Sequence, residues 1–283
     1  MNSNMKCQRS KFLLSRKTAY VNCAYMSPML KKVANAGKKA IMAKAQPNKI
    51  TADDFFNDTF TIKKLAADLI NCPDYNRIAN IPSVSYGMAI VAKNIPLEEN
   101  EEIVVLKDQF PSNVYVWMDK CETSGGKLIM VSPPDTIDRR GEKWNDELLH
   151  AINPKTKIVS ICHTHWSDGT LFHLQNIRKK CDEVGAALVI DGTQSVGALP
   201  FDVQLIRPDA LVVAGYKWLM GPYTTGFAYF SERFDDGSPL EHNYINRKDS
   251  HKFAELVNYQ DDFEPGAIRY DMGEKSNFIL NPM

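Results

Sequence analysis

No aspartate or glutamate precedes Asp53, although Lys and Arg recur throughout that stretch. Such a basic, acid-free composition resembles an organelle transit peptide. Tyr20 to Pro28 and the helical pattern after them read instead as structured protein. No apolar run reaches the length needed to cross a bilayer, and no signal-peptide core is evident. The six cysteines (Cys7, Cys23, Cys72, Cys121, Cys162, Cys181) lack paired spacing. That argues against a disulfide framework or structural zinc site and for a reducing compartment. Surplus charge is missing too, since 34 Lys and Arg balance 34 Asp and Glu. No overall field therefore draws the chain to nucleic acid or an anionic membrane. Neither an internal repeat nor a low-complexity segment is visible. These absences predict a cytoplasmic chain without nucleic-acid or membrane partners.

What remains is an ordinary globular composition, 283 residues with 44% hydrophobic and 24% charged, enough for a sizeable core. The pattern predicts a basic amphipathic helix over Met29–Ala43 after Ser27-Pro28. Thr51 starts a second helix carrying Phe55, Phe56, Phe60, Ile62, Leu65 and Ile70, with its aromatic stripe expected in the core. A third begins after Ile81-Pro82-Ser83-Val84-Ser85 and runs to about Asn94. Strand and helix signals then alternate. Strands are predicted at Glu102–Lys107, Lys127–Val131, Lys157–Cys162, Ala186–Asp191, Ala210–Ala214 and Phe227–Phe230. Helices are predicted at Asn113–Lys120, Trp144–Ile152 and Leu171–Val184. This alternation implies an α/β fold, a mostly parallel sheet with helices on both faces. Gly215 to Gly226 is too short for a helical crossover, so Phe227–Phe230 should run antiparallel.

The densest information lies in Leu188-Val189-Ile190-Asp191-Gly192-Thr193-Gln194-Ser195 and in Leu211-Val212-Val213-Ala214-Gly215-Tyr216-Lys217-Trp218. Each is a buried-strand pattern ending in a charge where parallel α/β sheets place their active sites. Read singly, Asp191 and Lys217 are solvated loop charges. Read together, they suit pyridoxal phosphate, which needs a lysine for covalent attachment and an acid opposite its ring nitrogen.

The segments Asp191-Gly192-Thr193-Gln194-Ser195-Val196-Gly197-Ala198-Leu199-Pro200 and Gly215-Tyr216-Lys217-Trp218-Leu219-Met220-Gly221-Pro222 carry a resemblance. They are similar to the signature of class V aminotransferase-fold, pyridoxal-phosphate-dependent enzymes. That group includes cysteine desulfurases, selenocysteine lyases, kynureninases and isopenicillin N epimerase-like proteins. The resemblance implies a fold type I large domain, an amino-acid substrate, and a homodimer sharing its site between subunits. It also implies that Lys217 forms the Schiff base and shuttles the α-proton, and that Asp191 keeps the ring nitrogen protonated. Gln194 would contact the ring's phenolic oxygen, or else serve only as a helix N-cap. The phosphate would lie on the backbone of Ser83-Val84-Ser85-Tyr86-Gly87, with Ser85, Tyr86 and Tyr216 in contact. Relatives carry Ser or Thr where this chain has Ala214, and His where it has Tyr216, an arrangement resembling kynureninases. Phe110 would stack on the ring or belong to the core. Trp166 stands where relatives often carry an Asn.

Family members continue into a small C-terminal domain holding the carboxylate-gripping Arg, so truncation is expected here, and Arg269 is not given that role. The expected organisation is an N-terminal segment over 1–27, a cofactor-binding large domain over 28–240 and the start of a truncated domain over 241–283. Two alternatives stand beside a lyase or transferase of the desulfurase or kynureninase kind. One is a truncated fragment binding the cofactor without turnover. The other is a metal-dependent hydrolase using His163, His165 and Asp168 of the His-x-His-x-x-Asp run.

Overall fold

Seven strands form one mixed sheet in the computed structural model, which describes residues 6–283. In chain order these are β1 (Ile78–Ile81), β2 (Glu102–Leu106), β3 (Lys127–Val131), β4 (Thr156–Cys162), β5 (Ala187–Asp191), β6 (Ala210–Ala214) and β7 (Gly226–Phe230). Across the sheet they run β1-β7-β6-β5-β4-β2-β3. The pairs β2–β3, β2–β4, β4–β5 and β5–β6 are parallel. β7 is antiparallel to both neighbours, as the short connection from β6 requires. The mostly parallel α/β sheet expected from the sequence is therefore present.

Successive residues of a strand face opposite sides, and both sides are covered. Leu188 and Ile190 of β5 face one core with Trp144, Leu148 and Ile177. That layer contains α2 (Asn57–Leu69), α5 (Arg140–Ala151), α6 (Leu174–Val184) and α7 (Val203–Ile206). Ala187 and Val189 face a second core with Met88, Val91 and Trp117, from α3 (Val84–Asn94) and α4 (Tyr115–Ser124). Burial on both faces explains why the inner strands read as unbroken apolar runs.

Several expectations need correction. β1 was not foreseen, because Ile78-Ala79-Asn80-Ile81 is short and contains a polar residue. The second helix begins later than expected, since Ala52–Phe55 is a 3-10 turn. Its aromatic stripe is not core: Phe60 is 40% exposed, and Phe55 packs edge-on against Phe253 and Phe278 of the C-terminal segment. The first helix, α1, spans Lys31–Lys44. Leu171 precedes α6 and bridges to Thr164 instead of starting the helix.

Residues 241–283 contain short 3-10 turns and no α-helix or strand. They are held to β1 by a buried cluster of charge. Asp271 accepts hydrogen bonds from Lys275 Nζ at 2.7 Å and from the Asn80 backbone N–H at 2.7 Å. Lys63 Nζ of α2 lies 2.8 Å from the same carboxylate and donates to Ile78 O at 2.9 Å. Burial alone would raise the Asp271 pKa, but the charges of Lys275 and Lys63 outweigh it and hold the carboxyl below its ordinary value.

Candidate active site

The C-terminal ends of β2, β4, β5 and β6 and the start of α3 border one cavity of about 250 Å³. The chain reverses its winding direction between β2 and β4, where open α/β sheets form crevices. Two glycines allow the close approach. A Cβ on Gly87 of α3 would stand 2.6 Å from Val212 Cγ1, so the bare residue lets the helix start settle on β6. A Cβ on Gly215 would stand 2.8 Å from Thr225 O, where the turn carrying Lys217 folds back on the strand after it.

Asp191 ends β5 and is buried. Its Oδ1 accepts the Thr193 backbone N–H at 3.0 Å. Burial pushes its pKa above the ordinary value, opposed by the Thr193 hydrogen bonds and by the charge of Lys217. Thr193 Oγ1 in turn accepts the Ala214 N–H at 3.1 Å, joining the ends of β5 and β6. Lys217 is only 6% exposed, and its Nζ makes no hydrogen bond or ion pair among the described residues. It lies 5.2 Å from the Phe110 ring centre and 5.8 Å from that of Tyr216. Desolvation lowers its pKa, with Asp191 partly opposing. A buried, unpaired amine of lowered pKa is primed as a nucleophile.

Of the residues singled out in the sequence, Ser85, Phe110, Trp166, Asp191, Gln194, Tyr216 and Lys217 all border this cavity. Phe110 is 40% exposed and stands edge-on to Trp166 at 5.9 Å, so it belongs to the cavity wall, not the core. Tyr86 does not border the cavity. Its N–H is taken by Ser83 Oγ at 3.2 Å, and its phenol faces Glu241, which with burial raises its pKa. The N-cap of α3 is thus Ser83, whose Oγ lies 3.0 Å from Ser85 Oγ. Gln194 is engaged at both ends, its Nε2 donating to Ala24 O at 2.9 Å and its Oε1 accepting Trp218 Nε1 at 2.9 Å.

The His-x-His-x-x-Asp run does not close on a point. His165 Nδ1 lies 3.5 Å from Asp168 and 2.9 Å from Ser167 Oγ. His163 instead packs on Phe201, 5.7 Å between ring centres. Among the described residues no three His, Cys, Asp or Glu side chains are placed to share a metal ion.

The sequence reading missed Thr193, Thr164, Cys162 and Tyr223, all bordering the cavity. Thr193 and Cys162 could have been found as residues at or just past a strand end. The N-terminal strap gave no such signal. Ser27 donates to Tyr216 O through its N–H at 3.1 Å and its Oγ at 3.2 Å, across 189 positions of sequence.

The family described as aminotransferase class-V matches residues 42–242. The chain belongs to the class V aminotransferase family. Among relatives, a probable cysteine desulfurase of Pyrococcus abyssi is 28% identical over 178 residues, 62% of this chain and 42% of that protein. A cysteine desulfurase of Synechococcus elongatus is 25% identical over 207 residues, 72% of this chain and 32% of its own length. The matched part is therefore less than half of either relative. The solved structure of the cysteine desulfurase CsdA from Escherichia coli superposes with a TM-score of 0.78 at 18% identity, covering 97% of this chain and 69% of that one. The cystine C-S lyase C-DES, solved with its product cysteine persulfide, gives 0.81 at 18% identity, covering 93% and 70%. These likenesses establish the class V aminotransferase fold for this chain.

Proposed function

We propose that this chain binds pyridoxal 5'-phosphate through Lys217 and acts on an amino acid as a lyase or transferase. The observation that carries the reading is the pairing of a buried, unpaired Lys217 with a buried Asp191 across one cavity walled by Phe110. The residues present fit the cofactor. Lys217 Nζ is the free amine for attachment, and Asp191 is the carboxylate to face the ring nitrogen. Phe110 offers a ring face. Ser85, at the start of α3, and Tyr216 suit the phosphate, since a helix start attracts anions. One Nε2 proton of Gln194 remains for the ring oxygen, because the amide has two donors and Ala24 takes one.

The cofactor supplies an electron sink for a carbanion. What the chain supplies is position and charge. Asp191 lowers the energy of a protonated ring nitrogen, and that cation would in turn draw the Asp191 carboxyl back toward its ordinary pKa. Lys217, whose pKa is lowered by desolvation, is the group placed to take and return the substrate α-proton. The relatives' names favour chemistry at a sulfur-bearing amino acid, and the Tyr216-Lys217 pair equally suits a kynureninase-like lyase. The protein is proposed to work in the cytoplasm as a homodimer, with the Gly221–Gly226 loop reaching the other subunit; among the described residues no helix is long and apolar enough to cross a membrane.

Adding pyridoxal phosphate to the purified chain should produce a visible absorbance band that Lys217→Ala abolishes. A band of equal strength in the Lys217→Ala variant would refute the reading.

A further inference from the structure

Charge is balanced over this chain but not along it. No Asp or Glu precedes Asp53, and among the described residues no ion pair engages a Lys or Arg before Lys63. The even total of cations and anions leaves no net field. Salt, however, screens charges beyond about 8 to 10 Å, so a flat partner senses only the patch it faces. A local surface of one sign therefore acts as such.

The first helix, α1, carries the densest part of that surface. Its inner face is used for packing, with Val33, Gly37 and Ala40 buried. At about 100° of turn per residue, the outer face gathers Lys31, Lys32, Lys38 and Lys39 within about 120° of arc around Met42. All four lysines are exposed, and Met42 is 65% exposed. The patch continues into the chain before the helix. Phe12 bridges to Leu30, and Lys31 Nζ donates to Ser10 O at 2.8 Å. Lys11 and Leu13, the latter 71% exposed, thus lie beside the first turn of α1.

Lysines alone would suit any polyanion, and the apolar side chains among them narrow the choice. A phosphate backbone offers nothing to the Met42 thioether or to Leu13, and α1 has no aromatic ring on which a base could stack. An anionic bilayer takes both parts. Its headgroup phosphates and carboxylates meet the ammonium groups, while its acyl boundary receives the short apolar tips. A basic amphipathic helix is the usual sequence sign of such a surface.

We propose that the outer face of α1, with Lys11 and Leu13 beside it, docks the folded chain on anionic lipid membranes without inserting the helix. The test is co-sedimentation of the full chain with lipid vesicles. Vesicles containing about one third phosphatidylserine should bind it about tenfold or more tighter than phosphatidylcholine alone. Raising the salt to about 0.5 M should remove most of that gain. The combined substitutions Lys32→Gln, Lys38→Gln and Lys39→Gln change exposed positions and keep helix propensity. They should weaken binding about 30-fold or more, since each cation near an anionic surface is worth about fivefold. Met42→Gln should weaken vesicle binding about threefold or more while leaving binding to a DNA duplex unchanged. Equal binding to both kinds of vesicle, or unchanged binding in the triple variant, would overturn the inference. So would full vesicle affinity in Met42→Gln, which would reduce the surface to one driven by charge alone. A DNA duplex that strips the chain from vesicles at equal phosphate concentration would overturn it in favour of nucleic acid.

Discussion

Asp191 and Lys217 divide the work of the cavity by what burial does to each. Desolvation disfavours the charged form of both, raising the acid and lowering the amine. A cationic ring nitrogen facing Asp191 would reverse that penalty for the acid. Asp191→Asn keeps the shape and can still accept the Thr193 N–H, so the variant should fold and bind cofactor. It should exchange the α-proton of a bound amino acid at least about 100-fold more slowly, the scale expected for losing one fixed charge opposite a developing one. Exchange at the unsubstituted rate, followed by deuterium incorporation, would contradict the role. His163 illustrates burial without chemistry. Desolvation holds its pKa at about 4, below the ordinary 6.5, so the unfolded chain binds more protons between those values. Stability should therefore be full above about pH 6.5 and fall as pH drops toward 4, by roughly 2–3 kcal/mol from this residue. Urea titrations of wild type and His163→Gln across that window should show a shallower acid loss in the variant. Parallel curves would show that His163 does not titrate there.

At the level of elements, the site depends on a strap that crosses it. Ala24 and Ser27 hold Gln194 and the Tyr216 carbonyl, so the turn bearing Lys217 is tied on one side to the N-terminal segment. Deleting residues 6–27 should speed amide exchange of residues 216–220 by tenfold or more while leaving the amides of β5 unchanged. Unchanged protection in the turn would mean that Gly215 and Thr225 fix it unaided. This tie also marks how far the sequence could be read. β2 to β7 were legible because burial on one or both faces turns them into apolar runs between turn residues, and Asp191 and Lys217 were legible as charges closing such runs. β1 was hidden by its brevity and by Asn80, whose polar side chain broke the apolar signal. The phenylalanines of the second helix carried the right spacing for a core, yet Phe55 faces the C-terminal segment. The strap's partners were not legible, because the Gln194 amide and the Tyr216 carbonyl lie 170 or more positions away, and no local pattern encodes those hydrogen bonds.

For the whole molecule, one buried carboxylate joins the C-terminal segment to the sheet edge. Asp271 is the shared acceptor for Lys63, Lys275 and the Asn80 N–H, and all three ionic side chains are nearly inaccessible. Asp271→Asn would leave two buried ammonium groups without a counter-charge. Removing one partner of a buried ion pair costs about 3–5 kcal/mol, so the variant should lose most of its stability in chemical denaturation. A loss below about 1 kcal/mol would show that water reaches the lysines. The central claim concerns Lys217 within the intact chain. The cofactor-loaded protein, reduced with borohydride, digested and analysed by mass spectrometry, tests it most directly. The account predicts a single pyridoxyl addition per chain, located on Lys217. A label on any other lysine, or no label after loading, would contradict it.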